Sequence, residues 1–171
     1  MASIKDVAKK AEVSISTVSR VINENTNVSD AKKKAVLEAI DELEYIPNGL
    51  AQSLVTKTTK SIGVLIADIA NPYYSNLAKS IEKNLRSKGY YAIIGSTEWD
   101  KSREKEYMRL LIKKQVDGFI LASTSLDENY LEGLVKKNIP IIVLDKEIKS
   151  DLIDKIGVND YKGAYMAAEH L

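Results

Sequence analysis

The 171-residue sequence contains no cysteine, and its single histidine, His170, stands one residue from the end. Without cysteine there is no disulfide scaffold, no thiolate metal site and no cysteine nucleophile. One histidine at that position argues against a Ser-His-Asp triad and against a multi-histidine metal centre. No apolar run reaches the roughly 18 residues of a membrane span, and the N-terminus has no apolar signal segment, so a cytoplasmic location is expected. Phosphate-binding and nucleophile-elbow motifs are missing too: there is no G-x-G-x-x-G, no G-x-x-x-x-G-K-[ST] and no G-x-S-x-G. These gaps point to a protein that binds and does not catalyse, with no cofactor implied. Charge of either sign is not in excess. Residues 1–60 carry nine basic and eight acidic side chains, and residues 61–171 carry sixteen of each. Bulk charge therefore says nothing about nucleic acid, and local placement has to.

What is present suits a folded domain. The chain is 44% hydrophobic and 29% charged, enough to bury a core with a solvated surface. At about 100–200 residues per domain, the length allows one full domain, or one small and one medium.

The first 45 residues read as three short helices. Ser3 and Asp6 have the spacing of a capping box, and Val7, Ala8 and Ala11 continue it as an apolar stripe. Residues 12–14 form a short break. Ser14 can cap a second helix over about 15–23. Ser29 can cap a third over about 30–44, with Ala35, Val36, Ile40 and Leu43 inward and Pro47 stopping it. From residue 61 the period changes. Short apolar runs rich in β-branched residues lie at 61–67, 90–95, 118–122 and 139–145, with a weaker fifth at 155–158. Amphipathic stretches at 73–88, 101–115 and 128–138 separate them, and a last one starts near Tyr161. Apolar strands alternating with helices predict a parallel sheet covered on both faces, a doubly wound α/β layer.

The segment 46–60 joins the halves. Residues 48–55 are long enough for about two helical turns, too short to be stable alone in water. It is either a flexible tether or a segment that becomes helical only on a partner.

The second helix carries the sharper signal. At 100° per residue, Ile15, Ser16, Ser19, Arg20 and Asn23 share one face, and Thr17, Val18, Val21 and Ile22 share the other. The first face is small, polar or cationic. Small hydroxyls allow close approach to a phosphate backbone, and Arg20 suits bidentate pairing with guanine. Ile15, apolar at the N-terminal edge, either meets a thymine methyl or folds back on the bundle. A merely solvated face is the alternative to DNA recognition.

These residues have a recognisable order. Ile4-Lys5-Asp6-Val7-Ala8, Val13-Ser14, Ser16-Thr17-Val18-Ser19-Arg20-Val21-Ile22-Asn23, Val28-Ser29, Tyr45, Pro47-Asn48, Ala51 and Ser53-Leu54 strongly resemble the LacI/GalR family of bacterial transcription regulators. The resemblance continues through Ile62-Gly63-Val64, Asp68-Ile69, Asn71-Pro72-Tyr73-Tyr74, Gln115-Val116-Asp117-Gly118 and Gly163-Ala164, so it covers nearly the whole chain.

That resemblance implies an all-α helix-turn-helix DNA-binding headpiece over 1–45 and a hinge helix and linker over 46–60. Residues 61–171 would be a doubly wound α/β effector-binding and dimerisation domain of the periplasmic-binding-protein type. It implies base contacts from Ile15, Ser16 and Arg20, and phosphate contacts from Ser14, Thr17, Ser19, Asn23 and Ser29. Ser3, Tyr45, Asn48 and Gln52 are further candidates for DNA contact. Ala51 and Leu54 of a hinge helix ordered only on the operator would enter the minor groove, with Leu54 as the wedge. The family's common glycine in the inter-helix turn is Glu12 here, which costs about 1 kcal/mol if φ must be positive.

For the second half the resemblance implies two lobes with a small effector, such as a sugar, between them. Such ligands sit beyond the C-terminal ends of the strands, which places loops 68–74, 96–99, 123–125 and 145–146 at the site. Tyr73 and Tyr74 can stack on a ring, Ser123 lies in the third loop, and Asp145 can accept hydrogen bonds from hydroxyls. The plainer readings are partial burial of both tyrosines and a strand-end cap for Asp145. Asn71-Pro72 reads as a turn and helix start, and Asp160 as the N-cap of the final helix. A phospho-receiver domain would want an aspartate at the end of the third strand, where Ala122-Ser123 stands. Members of the family run to about twice this length, so only the first lobe and the start of the second are expected, with an unpaired sheet edge. The expectation is a homodimeric regulator, a repressor by preference, reading a palindromic operator under control of a small effector. The alternative is a truncated effector-binding or dimerisation module that regulates no operator.

Overall fold

A computed structural model describes residues 2–23, 27–46, 58–122 and 124–171. The chain divides into two compact units, Met1–Thr56 and Lys57–Leu171.

In the first unit α1 spans Ile4–Lys10, α2 Ile15–Ile22 and α3 Asp30–Glu42. The Asp6 carboxylate accepts from the Ser3 N–H at 2.9 Å and from the Ser3 hydroxyl at 2.7 Å, closing the capping box on α1. Val7, Ala8, Val18, Val21, Val36 and Ala39 form the buried core, one pair from each helix. Ala39 joins this core where the expected inward set named Ala35.

The ends of α1 and α3 share one chemistry. Glu12 has φ +52°, and Val13 N–H donates to the Ala8 carbonyl at 3.0 Å. Glu44 has φ +45°, and Tyr45 N–H donates to the Ile40 carbonyl at 2.9 Å. Both are left-handed caps of the type usually built on glycine. The stop of α3 is therefore Glu44 and not Pro47, which lies outside the described residues. Ser29 sits at the N-cap of α3 without a side-chain cap bond; its carbonyl accepts from Lys33 N–H at 2.9 Å.

In the second unit the elements are β1 Ser61–Ile66, α4 Pro72–Ser87, β2 Tyr91–Ser96, α5 Lys101–Lys113, β3 Gly118–Ala122, α6 Glu128–Val135, β4 Ile141–Leu144, β5 Asp154–Ile156 and α7 Asp160–His170. The strands make one parallel sheet in the order β2-β1-β3-β4-β5. Alternate β1 side chains face opposite layers. Val64 and Ile66 pack with Tyr74 and Ala78 of α4, and Leu65 packs with Met108, Leu111, Leu131 and Leu134 of α5 and α6. The order reverses between β1 and β3, the switch point at which open α/β sheets form a crevice. The sheet has two edges, β2 and β5. Tyr91 on β2 is 71% exposed, and every described residue of β5 and α7 is exposed.

Glycine at 63 lets α5 approach the sheet. A Cβ there would stand 2.8 Å from the Phe119 ring and 2.9 Å from Leu111 Cδ1, whereas one at Gly163 in α7 would meet nothing within 4 Å. Gly63→Ala is expected to destabilise the lobe by about 1–3 kcal/mol. Gly163→Ala is expected to be neutral or to stabilise by about 0.5–1 kcal/mol. Urea midpoints check both, and equal midpoints for the two variants would show that the sheet does not need glycine at 63.

Candidate nucleic-acid interface and ligand cleft

Val18 and Val21 are the fixed points of α2; their burial sets the rotation of the helix. Ile15 (45% exposed), Ser16 and Arg20 face solvent, while Thr17, Ser19, Ile22 and Asn23 are half-buried. Ile15 does not fold back on the bundle. Arg20 makes no ion pair among the described residues. Ser14 caps the helix, accepting from Thr17 N–H at 3.2 Å, and its hydroxyl lies 2.8 Å from that of Ser16 and 2.9 Å from that of Thr17. Three hydroxyls thus cluster at the N-terminus of α2, where backbone N–H groups and the helix dipole favour a phosphate. The Asn23 amide donates to the Ser19 carbonyl at 2.8 Å and so closes the C-terminal end.

The remaining candidates are less uniform. Ser3 is bound to Asp6, so its hydroxyl reaches a phosphate only by leaving the capping box. Ser29 is exposed, and Tyr45 packs half-buried against the helical core. Asn48, Ala51, Gln52 and Leu54 lie outside the described residues, as does Ser123 of the second unit.

At the C-terminal edge of the sheet, Asn71 caps α4 by accepting from Tyr73 N–H at 2.9 Å, with Pro72 in the first turn. This aims Tyr73 across the sheet, where its hydroxyl donates to the Asp145 carboxylate. The contact joins the first turn of α4 to the turn after β4, 72 residues on; Asp145 is not a simple strand-end cap. Asp145 has φ +54° and donates its N–H to the Ile156 carbonyl at 3.0 Å, so the turn after β4 is anchored to β5. Beside it opens a cleft of about 750 Å³, lined by Asp145, Lys146, Glu147, Lys155, Asn159, Asp160 and Tyr161 among others.

Two expectations need correction. Tyr74 offers no open face to a ligand: it is 6% exposed and buried against Val64, Ile66 and Ala78, because the first turn of α4 lies over the sheet. The N-cap of α7 is Asn159, which accepts from Lys162 N–H at 2.9 Å, and Asp160 is the first helical residue.

Trp99 and Lys146 stand in two of the loops expected at this edge of the sheet, and Glu104 joins them without having been expected. Trp99 is 59% exposed and meets Tyr74 edge-on at 5.8 Å. Glu104, 2% exposed, accepts from the Thr124 hydroxyl and from Ser125 N–H at 2.8 Å. Burial raises its carboxyl above the usual range, against the pull of those two bonds. Lys146 donates to the Thr124 carbonyl at 3.1 Å and the Leu126 carbonyl at 2.9 Å. Together Glu104 and Lys146 hold the loop after β3. Strand-end position already marks Trp99 and Lys146 in the sequence; the pairing of Glu104 with a loop twenty residues away leaves no local pattern.

Fold and site define a class: a helix-turn-helix headpiece followed by an α/β lobe of the periplasmic-binding-protein type. Residues 3–48 match the model for bacterial regulatory proteins of the lacI family, and residues 59–171 match that for periplasmic binding proteins and the sugar-binding domain of the LacI family. The chain belongs to the LacI family.

The HTH-type transcriptional repressor PurR of Photobacterium profundum is 39% identical over 171 residues, which is 99% of this chain and 51% of that protein. The ribose operon repressor of Halalkalibacterium halodurans is 40% identical over 100% of this chain and 50% of its own length. Among solved structures, the lac repressor dimer bound to operator and the anti-inducer ONPF superposes with a TM-score of 0.84 at 28% identity, over 99% of this chain and 52% of that one. The chain thus spans about half the length of the curated relatives it matches. No helix among the described residues is long and apolar enough to cross a membrane.

The Tyr73–Asp145 bond has a spectroscopic consequence. The hydrogen bond to Asp145, then burial, push the Tyr73 hydroxyl from its usual value near 10 up to about 12. A raised value means that the bond's contribution to stability is complete below pH 10 and is lost between about 10 and 12. The ultraviolet titration of the chain minus that of Tyr73→Phe is expected to show one tyrosine titrating near pH 12, returning toward 10 in Asp145→Asn. A Tyr73 component near 10 in the unsubstituted chain would rule the bond out.

Proposed function

We propose that this chain is an operator-binding transcription regulator, a repressor, acting as a homodimer in the cytoplasm and performing no catalysis. The observation that carries the reading is the exposed face of α2. Ile15, Ser16 and Arg20 stand clear of a helix anchored by Val18 and Val21, at the position from which a recognition helix reads the major groove. Ser14, Thr17, Ser19, Asn23 and Ser29 then take phosphates, with Ser3 and Tyr45 at the margin. Residues 1–45 form the headpiece and 46–60 the hinge, in which Asn48 and Gln52 face DNA and Ala51 and Leu54 enter the minor groove. Residues 61–171 form the effector-binding and dimerisation part.

The effector in this reading is a small polyhydroxylated molecule such as a sugar. Asp145 lines the cleft with a carboxylate that can accept from sugar hydroxyls, and Tyr73 donates to that carboxylate from the first turn of α4; Ser123 is the further candidate. Relatives described with such ligands include a LacI regulator from Alkaliphilus metalliredigens complexed with D-xylulofuranose and Cra of Pseudomonas putida with fructose 1-phosphate.

The test starts from a random duplex pool. Rounds of selection on the chain are expected to yield a roughly palindromic site, retained in a salt-dependent gel shift. Arg20→Ala should weaken binding to that site by about 1–3 kcal/mol, leaving the headpiece melting temperature unchanged. Leu54→Ala should weaken the selected site more than a random duplex. A chain that prefers no sequence over random duplex is a binding or dimerisation module and not an operator reader.

A further inference from the structure

The chain enters the lobe through residues 58–60, and one carboxylate takes hold of all three. Asp117 precedes β3 and accepts from Thr59 N–H at 2.8 Å, Lys60 N–H at 3.0 Å, the Thr59 hydroxyl at 3.0 Å and the Thr58 hydroxyl. The Thr59 hydroxyl also donates to the Gln115 carbonyl at 2.9 Å, and the Lys60 ammonium lies 4.7 Å from the centre of the Tyr90 ring. Lys60 itself has φ +54°, a left-handed turn that a non-glycine residue holds only against a cost.

Pairing of the strands needs none of this. The ladder is already continued by Tyr91 N–H to the Lys60 carbonyl and by Asp117 N–H to the Ser61 carbonyl, each at 2.8 Å. The carboxylate's acceptors go instead to backbone and hydroxyl groups upstream of the strand. Burial alone would raise the Asp117 carboxyl; the bonds from Thr58, Thr59 and Lys60 outweigh it and hold the group below the usual aspartate range. The clasp therefore works through a charged acceptor, the stronger kind of hydrogen bond.

We propose that Asp117 is a positioning residue for operator binding: it clasps residues 58–60 to the lobe so that the segment leading to the headpiece starts from a fixed point in a fixed direction. The role rests on the operator-binding reading above. With the clasp open, residues 58–60 lose that anchor in the unbound protein, and part of their ordering must be repeated on DNA. Ordering one backbone residue is worth on the order of tenfold in an equilibrium constant. Random duplex, which does not require both half-sites in register, is indifferent to that freedom.

The test uses the whole chain carrying Asp117→Asn, which keeps the shape and removes the charge. The Thr59 and Lys60 amides are expected to exchange with solvent roughly tenfold faster, while those of Val64 and Phe119 keep their protection. Affinity for the selected palindrome is expected to fall about three- to tenfold and that for random duplex less than about twofold. The substitution adds one unit of positive charge, which favours DNA, so a loss on the palindrome is not a charge effect. Thr59→Val, which keeps the carboxylate and removes one hydroxyl, should lose part of the same affinity, and the double variant less than the sum of the two single losses.

Faster exchange at Thr59 and Lys60 with unchanged palindrome binding overturns the proposal and leaves Asp117 a local staple. If Val64 also loses protection, Thr59→Val decides: palindrome affinity lost with the lobe intact upholds the role, and affinity retained overturns it. If the unsubstituted chain prefers no sequence, the operator reading fails and takes this role with it, whatever the exchange data show.

Discussion

Val64, Leu65 and Ile66 of β1 are each no more than 1% exposed, although their side chains alternate between the two faces of the sheet. A strand buried on both sides needs a helical layer over each, and parallel connections that carry the chain back across the sheet. α4 supplies one layer, α5 and α6 the other. Gly63 sets how closely the second can settle, because Phe119 and Leu111 occupy the space a Cβ would take. The reversal of strand order beside β1 then leaves a crevice at the C-terminal edge. The Tyr73–Asp145 bond, the Glu104 and Lys146 anchors and the cleft beyond them are arranged along that edge.

The headpiece obeys the same constraint on a smaller scale. Three helices share six small buried side chains, two from each, so there is little apolar area to spare. Val18 and Val21 fix α2 so firmly in rotation that the opposite face has to be exposed, Ile15 included. Its corners are tight, and glutamates occupy the left-handed positions at 12 and 44 where glycine is common. The Schellman bonds to Ala8 and Ile40 hold those turns in spite of the side chains.

Much of this was legible in the residues. Alternating apolar runs and amphipathic stretches located all five strands and the helices between them, within a few residues, because hydrophobic period is a local property. On α2 the 100° steps give the exposure of Ile15, Ser16 and Arg20, but Ser19 and Asn23, on the same expected face, are half-buried. The errors were local competitions between neighbours. Pro47 is the evident helix stop in the sequence, but Glu44 ends α3 first by turning left-handed. Asp160 suits the cap of α7 by residue type, but Asn159 accepts the Lys162 N–H instead. Adjacent tyrosines look alike in sequence, yet Tyr73 points to Asp145 while Tyr74 goes under the helix, since successive positions on a helix differ by 100°.

Local pattern in the chain was thus enough for the kind of fold, the order of its elements and the identity of the outward helix face. Contacts between segments far apart in sequence were beyond it: Thr58 with Asp117, Tyr73 with Asp145, Glu104 with Thr124. The physical reason is common to all three. A carboxylate next to polar neighbours has many possible partners, and the one it takes depends on which loops the parallel sheet brings to the same edge. That is set by strand order and register, which arise from packing the whole lobe and are not written in any one stretch of residues.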